Sequence, residues 1–206
     1  MMLPTHALTG VFISTLFIPI YPESAIPLIL IGLIGGILPD ADVLIGDHRK
    51  TLHYPVYSWV AVAPVSILYL LAPSTVTAFI VIGLSAFAAH CIMDIIGGGL
   101  SKHPWNESNP QTVYNHYKKS WIREHDSVIS FKYDGSVYDT TILVLLALYI
   151  YQYVTTAPEL LYIIALALGI GLPYALIRKQ LPKLEDFLCE YAPWLKPFLN
   201  SLHGGE

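Results

Sequence analysis

The chain has 206 residues, of which 54% are hydrophobic and 13% charged, and its mean hydropathy is +0.56. A typical soluble domain is about 45–50% apolar and about 25% charged, so charged residues are depleted by roughly half. This composition excludes intrinsic disorder, and a balance of 11 basic against 15 acidic residues argues against a nucleic-acid partner. Two cysteines are too few for a disulfide framework or a zinc ribbon.

Long apolar runs dominate the chain in sequence order. They occupy 7–20, 25–38, 55–72, 74–96, 140–154 and 159–177. A membrane-spanning helix needs about 17–25 apolar residues, and the third, fourth and sixth runs reach that length. The runs predict an all-α, membrane-embedded bundle of about six helices, with buried core helices of a soluble protein as the alternative.

Two segments have a different character. Residues 98–138 are polar and aromatic, and within them 127–133, followed by Asp134-Gly135, reads as a short strand and turn. Residues 180–202 form an amphipathic tail that we expect at the membrane interface. The single domain, 1–206, therefore divides into helices with the site motifs (1–97), a cytoplasmic loop (98–138), two further helices (139–178) and the tail (179–206).

Charge placement predicts the topology. With six spans, every basic residue falls on one side of the membrane and the opposite turns carry none. The basic residues are Arg49, Lys50, Lys102, Lys118, Lys119, Arg123, Lys132, Arg178, Lys179, Lys183 and Lys196. Because basic loops are retained inside, we expect a multi-pass protein of the cell membrane with both termini in the cytoplasm.

The spacing His90-Cys91-Ile92-Met93-Asp94 places an imidazole and a carboxylate on one helix face. This pair suits a metal ion, and a hydrogen-bonded pair that stabilises helix packing is the alternative. Asp40 and Asp42 emerge where the second run ends, and either carboxylate can serve as a ligand or as a general base.

The loop before the third run adds further candidate residues. His48 and His53 lie five residues apart in it, and Arg49 is suited to hold a phosphate group bidentately. His6 begins the first run. In an up-and-down bundle all of these residues lie at the same, cytoplasmic end, which favours a divalent-metal site. Imidazole and carboxylate ligands without thiolate favour zinc.

The motif order resembles that of the YdjM-type family of membrane-bound metal-dependent hydrolases over about residues 1–105. The matching motifs are His6, Leu38-Pro39-Asp40-Ala41-Asp42, His48-Arg49 with His53, His90-x-x-x-Asp94 and Pro104-Trp105. The chain departs from the family at Leu52, where many members have Thr.

A more distant similarity is to the zinc-dependent phospholipase C and single-strand nuclease superfamily. It implies one ion held by His53, His90, Asp94 and either Asp40 or Asp42, and a second ion held partly by His6 with Asp94 as the bridge. The nearest match to that superfamily's later ligand pair is His103 and Glu107, interrupted by Pro104. His48 and His116 are weaker candidates.

The resemblance implies a hydrolase that uses metal-activated water, with one or two zinc ions, on phosphoester bonds of a phospholipid or another membrane-associated substrate. Asp40, Asp42 and Arg49 would be its catalytic residues, and the lipid bilayer its partner. Two alternatives are a metal-ion or proton-coupled transporter and a non-catalytic membrane protein with a structural metal.

Overall fold

The computed structural model describes residues 1–97, 111–123 and 135–202. The described part of the chain is a helical bundle with one small hairpin. The helices are α1 (Leu3–Thr15), α2 (Ala25–Ile37), α3 (Asp42–Ile45), α4 (Pro55–Leu71), α5 (Thr75–Ile96), α6 (Val137–Tyr151), α7 (Leu160–Ile177), α8 (Leu181–Tyr191) and α9 (Lys196–Leu202). The prediction of an all-α bundle is confirmed.

Three helical stretches are long and apolar enough to cross a membrane. They are Pro22–Ile45, Thr75–Ile96 and Leu160–Tyr191. In the first stretch, short 3₁₀ turns at Pro22–Ser24 and Leu38–Ala41 extend α2 at both ends. The apolar run predicted at 25–38 therefore lies within a longer helical stretch. Helices α4 and α6 are apolar but shorter.

Helix α1 lies at the centre of the bundle and packs against α2, α5, α6 and α7. Its approach to α2 is close because glycines face each other. A Cβ atom on Gly32 would collide with the backbone carbonyl of Gly10 and with the Ser14 hydroxyl. The Ser14 hydroxyl also donates a hydrogen bond to the Leu28 carbonyl of α2 at 2.7 Å. Small residues of this kind let membrane helices pack backbone to backbone.

A buried carboxylate joins the start of α6 to the start of α1. Asp139 is fully buried and accepts three hydrogen bonds, from the Met2 backbone N–H (2.7 Å), the Thr5 hydroxyl (2.6 Å) and the Gly135 N–H (2.9 Å). Gly135 has a φ of +70°, a left-handed conformation that favours glycine. This junction anchors the first turn of α1, the segment that carries His6.

The hairpin consists of β1 (Gln111–Asn115) and β2 (Ser120–Arg123), paired antiparallel with Tyr114 opposite Trp121. It lies upstream of the predicted strand at 127–133, which falls outside the described residues. The hairpin packs on the loop before α4: the Tyr114 N–H donates to the Arg49 carbonyl at 3.0 Å, and the His116 Nε2–H donates to the Lys50 carbonyl at 2.7 Å.

Candidate metal centre

Four side chains from three parts of the chain converge at one end of the bundle. Asp40 lies in the 3₁₀ turn after α2, His53 in the loop before α4, and His90 and Asp94 on α5. One ligand atom from each of them lies within 4.8 Å of the others. His53, His90 and Asp94 are buried, whereas the Asp40 side chain is 20% exposed. This buried cluster could hold a metal ion.

Helix α5 and the end of α2 together orient His90. The i, i+4 spacing places His90 and Asp94 on one face of α5, as the sequence predicts. The Nδ1 atom of His90 lies 2.6 Å from the Gly36 carbonyl oxygen, which can only accept a hydrogen bond. The proton therefore sits on Nδ1. The Nε2 atom then faces Asp40 Oδ1 at 3.3 Å and Asp94 Oδ2 at 3.4 Å.

Asp42 orients His53 in a similar way. The Nδ1–H of His53 donates to Asp42 Oδ2 at 2.8 Å, while Nε2 lies 3.1 Å from Asp94 Oδ2. The other oxygen of Asp42 lies 3.0 Å from His48 Nδ1. Asp42 is fully buried behind His53, outside the four-residue cluster. Of the two carboxylates that the sequence left equivalent, Asp40 belongs to the cluster and Asp42 supports a ligand, an arrangement common behind metal-binding histidines.

His6 lies beside the cluster on the central helix. Its Nε2 atom is 2.9 Å from Asp94 Oδ1, and its ring stacks on that of His90 with centroids 3.7 Å apart. The Met1 ammonium also contacts Asp94 Oδ1, at 2.7 Å. His6 Nδ1 is buried without a hydrogen-bond partner among the residues that the structure describes. Asp94 thus directs one oxygen toward the cluster and the other toward His6.

Arg49 places a positive charge at the edge of the cluster. Its Nε atom lies 3.3 Å from Asp94 Oδ2, and the residue is 6% exposed. Its φ is +59°, a left-handed conformation that is uncommon for a residue other than glycine. The hairpin holds this conformation because Tyr114 and His116 bind the carbonyls of Arg49 and Lys50. Lys50 is a second cation on this loop, and its hydrogen bond to Asp47 raises its pKa.

Two described candidates, His48 and His116, lie outside the four-residue cluster. His48 contacts Asp42 at the margin of the cluster and is not one of the four clustered residues. His103 and Glu107 lie outside the described residues. His116 binds the Lys50 carbonyl and contacts the rings of Tyr54 and Tyr114, so it supports the Arg49 loop rather than the cluster.

Two supporting features escaped the sequence analysis. Asp139 anchors α1, and its position as an acidic residue at the start of an apolar run is the signal that could have identified it. The Gly36 carbonyl that orients His90 carries no sequence signal, because any residue supplies a carbonyl group.

Comparison of the chain with protein-family models, with curated proteins and with solved structures finds no match. The fold and the site therefore define the class of protein by themselves. It is an all-α helical bundle with three helices able to cross a membrane and a buried His/Asp cluster that could hold a metal ion.

Proposed function

We propose that this chain is a membrane-bound, metal-dependent hydrolase of the YdjM type, acting on phosphoester bonds of a phospholipid or another membrane-associated substrate. The observation that carries the proposal is the approach of two imidazole Nε2 atoms, of His53 and His90, to 3.2 Å beside the carboxylates of Asp40 and Asp94. Both rings direct their Nδ1 atoms to acceptors on the other side. A divalent cation held by the two Nε2 atoms would satisfy both of them.

Zinc is the metal that this donor set favours. Two imidazole nitrogens and two carboxylate oxygens make a four-ligand set of the kind that zinc binds. His6 would supply a further nitrogen for a second ion held partly by Asp94. Manganese and magnesium prefer sites richer in oxygen, so the two histidines weigh against them.

The residues around the cluster suit phosphoester hydrolysis. A bound zinc ion would act as a Lewis acid and lower the pKa of water from 15.7 to about 7. Arg49 would hold a phosphoryl oxygen, since its guanidinium suits such oxyanions. Asp42 keeps His53 oriented. The water oxygen would form a bond to phosphorus while the bond to the leaving alcohol oxygen breaks. Asp40, the most exposed cluster member, would turn Oδ1 toward the metal, and its other oxygen would pass the water proton to the leaving alcohol oxygen.

We further propose that the protein is multi-pass, with its cluster on the cytoplasmic face. In support, the Arg49 and Lys50 loop and the hairpin, which carries Lys118 and Arg123, lie together next to the cluster. Loops rich in Lys and Arg are retained in the cytoplasm, which agrees with the basic residues on this side.

The test is hydrolysis of a chromogenic phosphodiester by detergent-purified protein, before and after removal of metal with a chelator. We expect activity that disappears on chelation and returns with added zinc. Asp40→Asn should abolish it, whereas Asp47→Asn, an exposed carboxylate on the neighbouring loop, should not. Activity that survives chelation, or that Asp40→Asn leaves intact, would contradict the proposal.

A structural metal is the second candidate, because three of the four clustered side chains are at most 1% exposed. A structural site holds its four ligands and leaves no room for water, whereas a catalytic zinc keeps a position for water and can expand to five ligands. A tightly held ion without hydrolysis of any phosphodiester would favour this alternative. A transporter would instead show ion flux in reconstituted vesicles.

A further inference from the structure

A groove lies beside the candidate metal centre and shares Asp40 with it. It has a volume of about 710 Å³ and lies between α1, α2 and α7. At one end it is lined by Asp40, His48 and Arg49, so it includes a carboxylate of the cluster and the cation next to it. This volume lies within the range of about 300–1,000 Å³ that is typical of small-molecule sites.

The rest of the groove is lined mostly by aliphatic side chains. Leu33 and Ile37 line it from α2, and Ile163 and Ile170 line it from α7. The lining residues of α7 recur at intervals of three and four positions, so they form one continuous face of that helix. Ile170 is 53% exposed, so the groove is open along the side that a bilayer would cover.

We propose that this groove binds the hydrocarbon chain of the substrate while its phosphate lies at the Asp40 and Arg49 end. The inference rests on the proposed function and narrows its substrate class. The substrate is a lipid phosphodiester with a long chain, rather than a water-soluble phosphoester that reaches the membrane surface. The charge at the polar end agrees with this placement, because the Arg49 guanidinium lies where the anionic phosphate of the substrate would bind.

The groove acts by positioning. A chain that leaves the bilayer for an apolar groove gains little from the hydrophobic effect, because lipid tails are as apolar as the groove wall. What it gains is alignment of the scissile bond with the cluster, and alignment of reacting groups contributes strongly to rate. Chain length should therefore control kcat/KM, while the metal content of the protein stays independent of the groove.

Two esters with the same scissile bond test this: 4-nitrophenyl hexadecyl phosphate and 4-nitrophenyl methyl phosphate, with zinc-loaded protein in detergent micelles. Ile170→Trp fills the groove, and Leu161→Trp is the matched control, because Leu161 is 49% exposed on the same helix and does not line it. We expect Ile170→Trp to lower kcat/KM for the hexadecyl ester about tenfold or more. The kcat/KM for the methyl ester and the zinc content of the protein should stay unchanged. Leu161→Trp should change neither rate.

An equal effect on both esters, or none on the hexadecyl ester, would overturn the groove assignment while leaving the hydrolase proposal intact. If neither ester is hydrolysed, the hydrolase proposal fails. A binding measurement then tests whether the groove takes up a hydrocarbon chain. Tyr174→Trp places a fluorophore in the groove. Its emission is obtained by subtracting the emission of the unmodified chain, which has four tryptophans of its own. Dibromohexadecyl phosphate should quench this emission to a plateau as its concentration rises. Quenching that rises linearly, as expected for Leu161→Trp in a micelle, would overturn the inference.

Discussion

The Nε2 atoms of His53 and His90 lie 3.2 Å apart, and each ring turns its Nδ1 atom away, to Asp42 and to the Gly36 carbonyl respectively. With the protons on Nδ1, both Nε2 atoms present lone pairs to the same point. Two lone pairs at this distance repel each other unless a proton or a metal cation lies between them. Asp40 and Asp94 add negative charge at that point, so the local electrostatics favour a divalent ion.

The support of His53 by Asp42 leads to the first prediction. Asp42→Asn replaces the carboxylate behind His53 with a neutral amide of similar size. Loss of such a supporting group typically lowers metal affinity by about 10–100-fold, and we expect a change of that size in a competition titration with a zinc chelator. Asp47→Asn is the control, because Asp47 lies on the exposed side of the same loop. An affinity for Asp42→Asn equal to that of the control would show that Asp42 has no supporting role.

The glycine contacts between α1 and α2 lead to the second prediction. A Cβ on Gly32 meets the Gly10 carbonyl and the Ser14 hydroxyl, whereas one on Gly169 of α7 meets nothing within 4 Å. Gly32→Ala should therefore lower the free energy of unfolding by about 1–3 kcal/mol through overpacking. Gly169→Ala should stabilise the protein by up to about 1 kcal/mol, since alanine is the better helix former. Thermal unfolding in one detergent compares them, and equal midpoints would refute the close α1–α2 contact.

The third prediction concerns Asp139. Asp139→Ala leaves the Met2 and Gly135 N–H groups and the Thr5 hydroxyl without their acceptor. Each buried donor left unsatisfied costs about 1–3 kcal/mol, so the unfolding midpoint should fall clearly. Glu23→Gln, a change at an exposed residue of a 3₁₀ turn, should leave the midpoint unchanged. A midpoint for Asp139→Ala as high as that of the control would mean that α1 is anchored by other contacts.

The sequence predicts the helical bundle well because its apolar runs are long and its breaks are marked by polar or proline residues. It also pairs His90 with Asp94, since helical spacing alone places them on one face. It does not distinguish Asp40 from Asp42. That distinction depends on the 3₁₀ turn at Leu38–Ala41, which rotates one carboxylate toward the cluster and the other behind His53.

The hairpin shows a second limit of sequence reasoning. The predicted strand at 127–133 falls outside the described residues, whereas β1 and β2 lie at Gln111–Asn115 and Ser120–Arg123, where no strand is predicted from the sequence. What stabilises them includes contacts with a distant loop, through the carbonyls of Arg49 and Lys50. Contacts of this kind have no local sequence pattern, and the same is true of the left-handed φ of Arg49 that they support.

The fourth prediction is the sidedness of the centre. In a background without Cys91 and Cys189, Lys118→Cys places a thiol on the exposed tip of the hairpin, and Thr156→Cys places one on the turn before α7. A membrane-impermeant maleimide should label Thr156→Cys in intact cells and Lys118→Cys only after the membrane is opened, because the basic side stays inside. Labelling of Lys118→Cys from outside would place the centre on the outer face.

Asp94 is the least suitable residue for testing the ligand assignment. It contacts Met1, His6, His53 and Arg49 while buried, so Asp94→Ala leaves a buried positive charge uncompensated. Breaking such a pair costs about 3–5 kcal/mol, and a loss of metal would then reflect unfolding. Asp40→Asn is the better variant because Asp40 is partly exposed and asparagine keeps its size.

The central claim is that Asp40, His53, His90 and Asp94 bind a metal, and zinc X-ray absorption combined with metal analysis of the purified chain tests it most directly. We predict stoichiometric zinc with nitrogen and oxygen neighbours at about 2.0–2.1 Å and the outer-shell scattering of histidine. We also predict that Asp40→Asn loses this zinc while its circular dichroism stays that of the parent. Zinc content unchanged in Asp40→Asn, or a sulfur neighbour at about 2.3 Å, would contradict the assignment.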